Sequence, residues 1–495
     1  MFSRFAYNIP YILFFMPILF SIGTCLIENK KFNVLSVIST LFTSLILLFT
    51  TLLKLNSDGS LFVTIKGVES LIGGEFRINN ISILFALIMV LIHIFIFLNT
   101  NYEFLKIDKK KDKDVSHRKY FFMTYLLNIF SLFGIIFTSN ICNYFIFLEL
   151  YSFTMYTIIS DYKNEKDLKN SFNYFLNSIC GSVIVLLSIF FLCLFFNSHR
   201  MIYIMQRFLT TNISTNIALS LIVILFFVGL ILKFFSLDII FYKNKSKKEA
   251  RNLLSFLVLF VNSALSAYSV LYFLKYLFNV DYLFNFIQIK AVIITAGTLA
   301  TLYSCYNIIK CPTLYNFVKK ITNIYLSLII VCIGLNDRSS MYLSFLFIFE
   351  HLTSDFMIYL FYNYLLEKYN ENVIHLNSKV FYRLFFVFLL CLKMFLPIGV
   401  LYHINSTVLF NLGGYNKYLL LILLIITKIT YLIFLFKNFN ILEIDDNYIE
   451  YDDNYNIDIK ENTRKIKVLE YSMFSMFIIM LVSTFFVGYL KVLFI

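Results

Sequence analysis

The feature that most constrains this chain is a recurring apolar window of about 17–25 residues, the length a helix needs to cross roughly 30 Å of hydrocarbon. Fourteen such windows follow one another, at approximately 9–27, 32–53, 80–99, 120–138, 141–160, 171–196, 216–241, 253–278, 287–308, 318–335, 340–366, 384–410, 418–436 and 471–494. Lipid offers no partners to a bare backbone, so segments of this kind satisfy their amides internally as helices. Composition agrees: 60% of the 495 residues are hydrophobic and 14% are charged, and the mean hydropathy is +0.79. A soluble domain is about 45–50% apolar. The expected fold class is therefore an all-α polytopic membrane protein with about fourteen transmembrane helices. One strand-like piece, LFVTIKGVES, lies between the second and third windows, and no large soluble domain is expected.

The loops test that count independently, because Lys and Arg in short loops collect on the side from which a membrane protein is inserted. The clusters are Lys30 and Lys31; Lys106 through Lys119; Lys163, Lys166 and Lys169; Lys243 through Arg251; Lys310, Lys319 and Lys320; Lys368 and Lys379; and Lys460, Arg464, Lys465 and Lys467. They fall in alternate loops. The intervening loops hold Lys54, Lys66 and Arg77, then Arg200 and Arg207, then Arg338, then Lys417. A missed or invented helix scrambles such an alternation, and an even number of crossings puts both termini on the outer side. The first window is too long for a signal-peptide core and lacks a small-residue cleavage site, so it reads as a retained helix.

The net charge of +13 is distributed over these loops, which explains it by topology and argues against a nucleic-acid partner. The cysteines, at positions 25, 142, 180, 193, 305, 311, 332 and 391, show neither a CxxC pair nor Cys/His ligand spacing, so no metal, iron–sulfur cluster or disulfide framework is expected. Sixty Phe and thirty-five Tyr without Trp, alongside much Ile, Asn and Lys, suit a very AT-rich genome. The long hydrophilic loop before the last window is acidic, then basic; it reads as a solvated linker or as a contact for a partner subunit.

Charges inside the windows carry the chemistry. Glu149 lies near the middle of ICNYFIFLELYSFTMYTIIS, and Lys233 lies inside VGLILKFFSLDII. A charge at the bilayer centre costs about 2.5–3.5 kcal/mol by insertion scales, and such residues usually pair or serve an ion path. In low dielectric the protonation of one depends strongly on the other, which suits a proton relay; a static ion pair holding two helices together is the competing reading. The eleventh window carries Glu350, His351 and Asp355 in FLFIFEHLTSDFMIYL, where an α-helix puts Glu350 and Ser354 on one face and Asp355 one position off it. These are a second proton-conducting group or interhelical hydrogen bonding. The twelfth window, FVFLLCLKMFLPIGVLYHINSTVLF, has Pro397 and Gly399 in mid-span, with Lys393 before them and His403 after. Proline there removes a backbone bond; a broken helix flanked by titratable groups is the shape of a midplane ion site, and a simple kink is the alternative.

FIFLELYSFTMYTIIS followed by SFNYFLNSICGSVIVLLSIFFL resembles the signature of subunit 2 of respiratory NADH dehydrogenase (complex I), the subunit called N in bacteria. Glu149, Ser152, Tyr156, Tyr174, Phe175 and Gly181 fit its ELxSLxxYxL and KYFLLGxxSS runs. FRINNISILFALIMVLIHIFIFLNTNYE is similar to the family's third-helix segment, with Asn79 or Asn80 where Asp is usual. GLILKFFSLDIIFY resembles its helix-seven segment, with Lys233 on the central lysine, and AGTLATLYSCYNIIKCPTLYNFVKKITNIYLSLIIV resembles the long segment that follows. Subunits 4 and 5 and the Mrp-type sodium/proton antiporters share the Glu and Lys plan; the wording after Glu149 favours subunit 2.

The resemblance implies an antiporter-like fold with two inverted five-helix repeats and broken helices seven and twelve. It divides the chain into an N-terminal three-helix segment with its loop (1–119), a first repeat (120–280), a second repeat (281–436), and a hydrophilic loop with the C-terminal helix (437–495). It implies a proton relay of Glu149, Lys233 and His403; Lys393 and Glu350, picked out by their place in the apolar windows, are further candidates. No cofactor is expected on this chain: NADH, FMN, iron–sulfur clusters and ubiquinone belong to other subunits. The implied partners are the antiporter-like subunit 4, the small subunits near the quinone arm, and lipids. The implied location is the mitochondrial inner membrane with the Lys/Arg-rich loops in the matrix, an AT-rich bacterium being the alternative. Two departures stand out. The helix-eight lysine falls near Ala264, and the helix-twelve lysine aligns to His403 or Ile404. A third is that the segment after helix seven has lost its PFHxW run.

Overall fold

A computed structural model describes residues 2–27, 29–58, 60–64, 75–106, 113–160, 165–210, 217–243, 253–278, 287–311, 314–369, 380–394, 400–411, 414–441 and 466–482. Contacts divide the chain into two compact units, one of Met1–Lys245 with Leu254–Asn285 and the other of Ser246–Leu253 with Phe286–Ile495.

The first unit contains α1 (Phe2–Leu26), α2 (Lys30–Asp58), β1 (Ser60–Thr64), β2 (Glu75–Asn79), α3 (Asn80–Lys106), α4 (Lys113–Phe137), α5 (Ile141–Ile159), α6 (Glu165–Phe196), α7 (Met201–Thr210), α8 (Ile217–Lys243) and α9 (Leu253–Tyr276). The second contains α10 (Ile287–Ile309), α11 (Leu314–Leu335), α12 (Arg338–Glu350), a π turn (His351–Asp355), α13 (Phe356–Tyr369), α14 (Val380–Met394), α15 (Val400–Ser406), a further π turn (Thr407–Asn411) and α16 (Gly414–Ile441), followed by α17 over 466–482.

Every apolar window of the sequence overlaps a helix. Eight of the described helices are long and apolar enough to cross a membrane by length and composition. The strand-like piece forms β1, which pairs antiparallel with β2 from Ser60↔Asn79 to Thr64↔Glu75. Two elements were not foreseen. The second strand follows Gly73 and Gly74, and α7 is a short amphipathic helix that buries Met201, Ile204 and Phe208 and exposes Tyr203. One expectation is corrected: α8, the seventh window, runs unbroken from Ile217 to Lys243. It contains no Pro, and its Gly229 is used for packing, where a Cβ would meet Val185 of α6 at 2.8 Å. The expected break at Pro397 and Gly399 lies outside the described residues, between α14 and α15.

The ends of several first-unit helices are tied at one rim. Isolated bridges join Phe76 to Thr138 and Asn140 to Arg200, Ser139 N–H donates to Glu75 O at 3.1 Å, and Arg200 pairs with Glu75 at 2.6 Å. Asn140 also caps α5, its Oδ1 accepting the Cys142 and Asn143 N–H groups, which satisfies donors that a helix start leaves open. The cap fixes where α5 begins and hence the height at which Glu149, two and a half turns later, stands.

Candidate functional site: two lysine–carboxylate centres

Among the described residues, each unit holds a lysine bonded to a carboxylate inside its helices. In the first, Lys233 Nζ of α8 donates to Glu149 Oε1 of α5 at 2.6 Å, to Ser152 Oγ one turn along α5 at 3.3 Å, and to Ser182 Oγ of α6. The spacing of Glu149 and Ser152 places both on one face of α5. The lysine side chain is 2% exposed, whereas the glutamate is 33% exposed. Ammonium and carboxylate thus neutralise one another in a site that this chain closes around the lysine and leaves partly uncovered at the glutamate.

What brings Lys233 there is the contact between α6 and α8. A Cβ on Gly181 would lie 2.5 Å from Lys233 N and 2.7 Å from its Cα, so only glycine lets α8 pass this close. Small residues at helix contacts are the usual means of close approach in membranes. Gly181 and Ser182 therefore act together, the first admitting the lysine's backbone and the second binding its head.

In the second unit, Lys393 Nζ of α14 donates to Asp355 Oδ1, and His351 Nδ1 bonds Asp355 Oδ2 at 2.7 Å. The ammonium lies 4.6 Å from the centre of the Tyr325 ring and 5.3 Å from that of Tyr431, within cation–π range. Tyr325 also stacks on His351 with ring centres 5.9 Å apart. The lysine and aspartate side chains are both 1% exposed.

This centre is shaped by the π turn. His351–Asp355 winds wider than α12 and α13 on either side, and π turns recur at functional sites. It directs Asp355 onto Lys393. Glu350, the sequence candidate on this element, is fully buried, and its two carboxylate oxygens accept no hydrogen bond. Ser354, which shares its face as expected, donates to the Glu350 backbone carbonyl at 2.9 Å.

His403 lies on α15 and is half-buried, its backbone carbonyl accepting Ser406 Oγ at 3.0 Å. Lys428 of α16, which the sequence reading passed over, donates to Asn405 of the same short helix at 3.1 Å. Its signal was available: it is a lysine in mid-window, in LILLIITKITYLIF.

Two solved structures have this arrangement of helices. The Mrp complex from Dietzia sp. DQ12-45-1b superposes with a TM-score of 0.69 at 10% identity, over 87% of this chain and 79% of that one. The chain shares the fold of the matched chain in that complex. The membrane-bound sulfane sulfur reductase, an archaeal respiratory membrane complex, superposes with a TM-score of 0.63 at 14% identity, over 87% of each chain. No protein-family model matches the sequence, and no curated protein matches it. With eight described helices long and apolar enough to cross a bilayer and a fold shared with membrane complexes, this chain is a multi-pass membrane protein.

Proposed function

We propose that this chain is a core membrane-arm subunit of NADH:ubiquinone oxidoreductase, of the subunit 2 type, with fourteen spans, and that it takes part in proton translocation driven by redox chemistry on other subunits. The observation that carries the proposal is the bond between Glu149 and Lys233, a pair whose lysine is sealed while its carboxylate remains reachable. Protonating Glu149 from its open side removes the counter-charge of the ammonium. The lysine is then a cation in low dielectric beside Ser152 and Ser182, both neutral, and release of its proton relieves that cost. Returning Glu149 to its charged form draws a proton back to Lys233. The hydroxyls serve either state, since each donates or accepts as it rotates.

In the second unit the group with the geometry of a proton-bearing base is Lys393, through Asp355 and His351. His403 keeps its expected role as a later station. Conditional on this reading, the chain belongs in the mitochondrial inner membrane beside other membrane-arm subunits. The test is a purified complex bearing Lys233→Met, in which the number of protons moved per NADH is expected to fall; full pumping overturns the proposal. A second reading, a cation/proton antiporter outside any redox complex, is favoured by the likeness to the Mrp complex. It predicts that the chain does not copurify with an NADH-oxidising assembly and transports in proteoliposomes by itself.

A further inference from the structure

At the rim of the first unit the start of α5 and the end of α6 are held side by side by backbone bonds. Ile141 N–H donates to His199 O at 3.1 Å, Met201 N–H donates to Ser139 O at 3.0 Å, and Asn140 bridges Arg200. The last turn of α6 is fixed as well: the Arg207 guanidinium donates to Phe196 O, and Asn197 turns the chain with a φ of 49°, a left-handed conformation that Asn adopts more readily than most residues. One cysteine lies just inside each helix at this rim. Cys142 is the second residue of α5, and Cys193 stands one turn before the end of α6.

The two thiols meet. Cys142 and Cys193 are hydrogen-bonded to each other through their side chains, and both residues are half-buried. The fully buried cysteines have other partners: Cys311 Sγ bonds Asn307 O at 3.2 Å, Cys305 faces Thr430, and Cys332 faces Ser344. No CxxC spacing announces the pair; the rim assembles it. Each sulfur is within reach of the other and of an agent arriving from outside the chain, which is what thiol–disulfide exchange requires. The loop beside the pair, with Arg200 and Arg207, belongs to the cation-poor set. On the orientation that this set favours, the pair lies on the outer side, where compartments are oxidising enough for disulfides to persist.

We propose that Cys142 and Cys193 form a reversible disulfide that ties the start of α5 to the end of α6, with a small-molecule disulfide as the oxidant. One cysteine, as its thiolate, attacks a sulfur of the oxidant, whose other half leaves as a thiolate and takes up the proton that the attacking thiol lost. The second cysteine then attacks the mixed disulfide and releases the remaining half in the same way. Two protein S–H bonds are lost and one S–S bond forms, while the oxidant's S–S bond is reduced to two thiols, so two electrons and two protons pass to the oxidant. Closed, the bond fixes the first turn of α5, the helix of Glu149 and Ser152, against α6, the helix of Gly181 and Ser182. The inference stands on the rim geometry and is independent of the proposed proton translocation.

The test uses the full chain in its native membrane. Membranes are treated with oxidised glutathione or with dithiothreitol, denatured in N-ethylmaleimide so that every free thiol is capped, and digested without further reduction for mass spectrometry. After oxidised glutathione, a cross-linked peptide joining Cys142 to Cys193 is expected, with loss of the maleimide label from both. After dithiothreitol the cross-link should be gone and both labels present. Maleimide on both cysteines after the oxidant overturns the proposal. So does glutathione on each of them without a cross-link, since it marks two reactive thiols that are not placed to bridge. Cys142→Ser and Cys193→Ser trap the mixed disulfide: glutathione is expected to stay on the remaining cysteine of at least one variant, and its absence from both overturns the exchange route. Should a serine variant fail to accumulate, the unaltered chain decides by the cross-link alone.

Discussion

The two lysine–carboxylate centres use the same pair of charges in opposite ways. Lys233 meets a carboxylate that is 33% exposed, while Lys393 meets one that is 1% exposed. The neutral partners differ as well: hydroxyls of Ser152 and Ser182 in the first unit, aromatic rings of Tyr325 and Tyr431 in the second. Hydroxyls accommodate gain or loss of a proton by rotating, whereas a ring face favours the cation alone. The first centre is accordingly built for ready exchange, while the second holds its ammonium more firmly, its aspartate also bonded to His351. Burying a pair contributes little net stability, but breaking one is costly because the survivor is stranded.

That contrast is most exposed by removing each lysine. Lys393→Met strands Asp355 beside the buried Glu350 and is expected to cost about 3–5 kcal/mol, seen as loss of the chain from the membrane fraction. Lys233→Met strands a carboxylate that the chain covers only in part, so a smaller loss is expected; equal depletion of both variants breaks the contrast. His351→Leu takes one partner from Asp355, and a hydrogen bond to a charged group contributes about 1.5–3 kcal/mol, read as a lower midpoint in detergent unfolding. Gly181→Ala pushes a Cβ into the Lys233 backbone, a strain of about 1–3 kcal/mol. It should reduce proton transfer more than Gly334→Ala in the second unit, where a Cβ would meet Ile294 Cγ1 at 2.8 Å and the backbone only at 3.1 Å. Smallest is Ser182→Ala, at about 0.5–1.5 kcal/mol, because Glu149 and Ser152 still bind the ammonium; an unfolding midpoint within error of the unaltered chain would make Ser182 dispensable.

The helices were legible because lipid forces apolar length onto the sequence, and Glu149 and Lys233 stood out because charge is rare within such lengths. What escaped notice has physical reasons. The π turn at His351–Asp355 carries neither Pro nor Gly, so HLTSD reads as ordinary helix and the alignment of Asp355 with Lys393 cannot be seen from α-helical spacing. A ten-residue helix such as α7 is too short for any spanning window. The supposed break in α8 came from resemblance alone, with nothing in its residues to demand it.

The π turn also bears on how this sequence can change over time. Such a turn amounts to one residue more than an α-helix would use over the same length, and one helical residue corresponds to about 100° of rotation. Deleting a single residue between His351 and Asp355 would restore regular winding with α12 and α13 in nearly their present phase, because the wider turn has already absorbed the extra residue that would otherwise have rotated one against the other by about that angle. A one-codon deletion there is thus a change the long helices can absorb, and its effect is confined to the turn that carries His351 and Asp355 to Lys393.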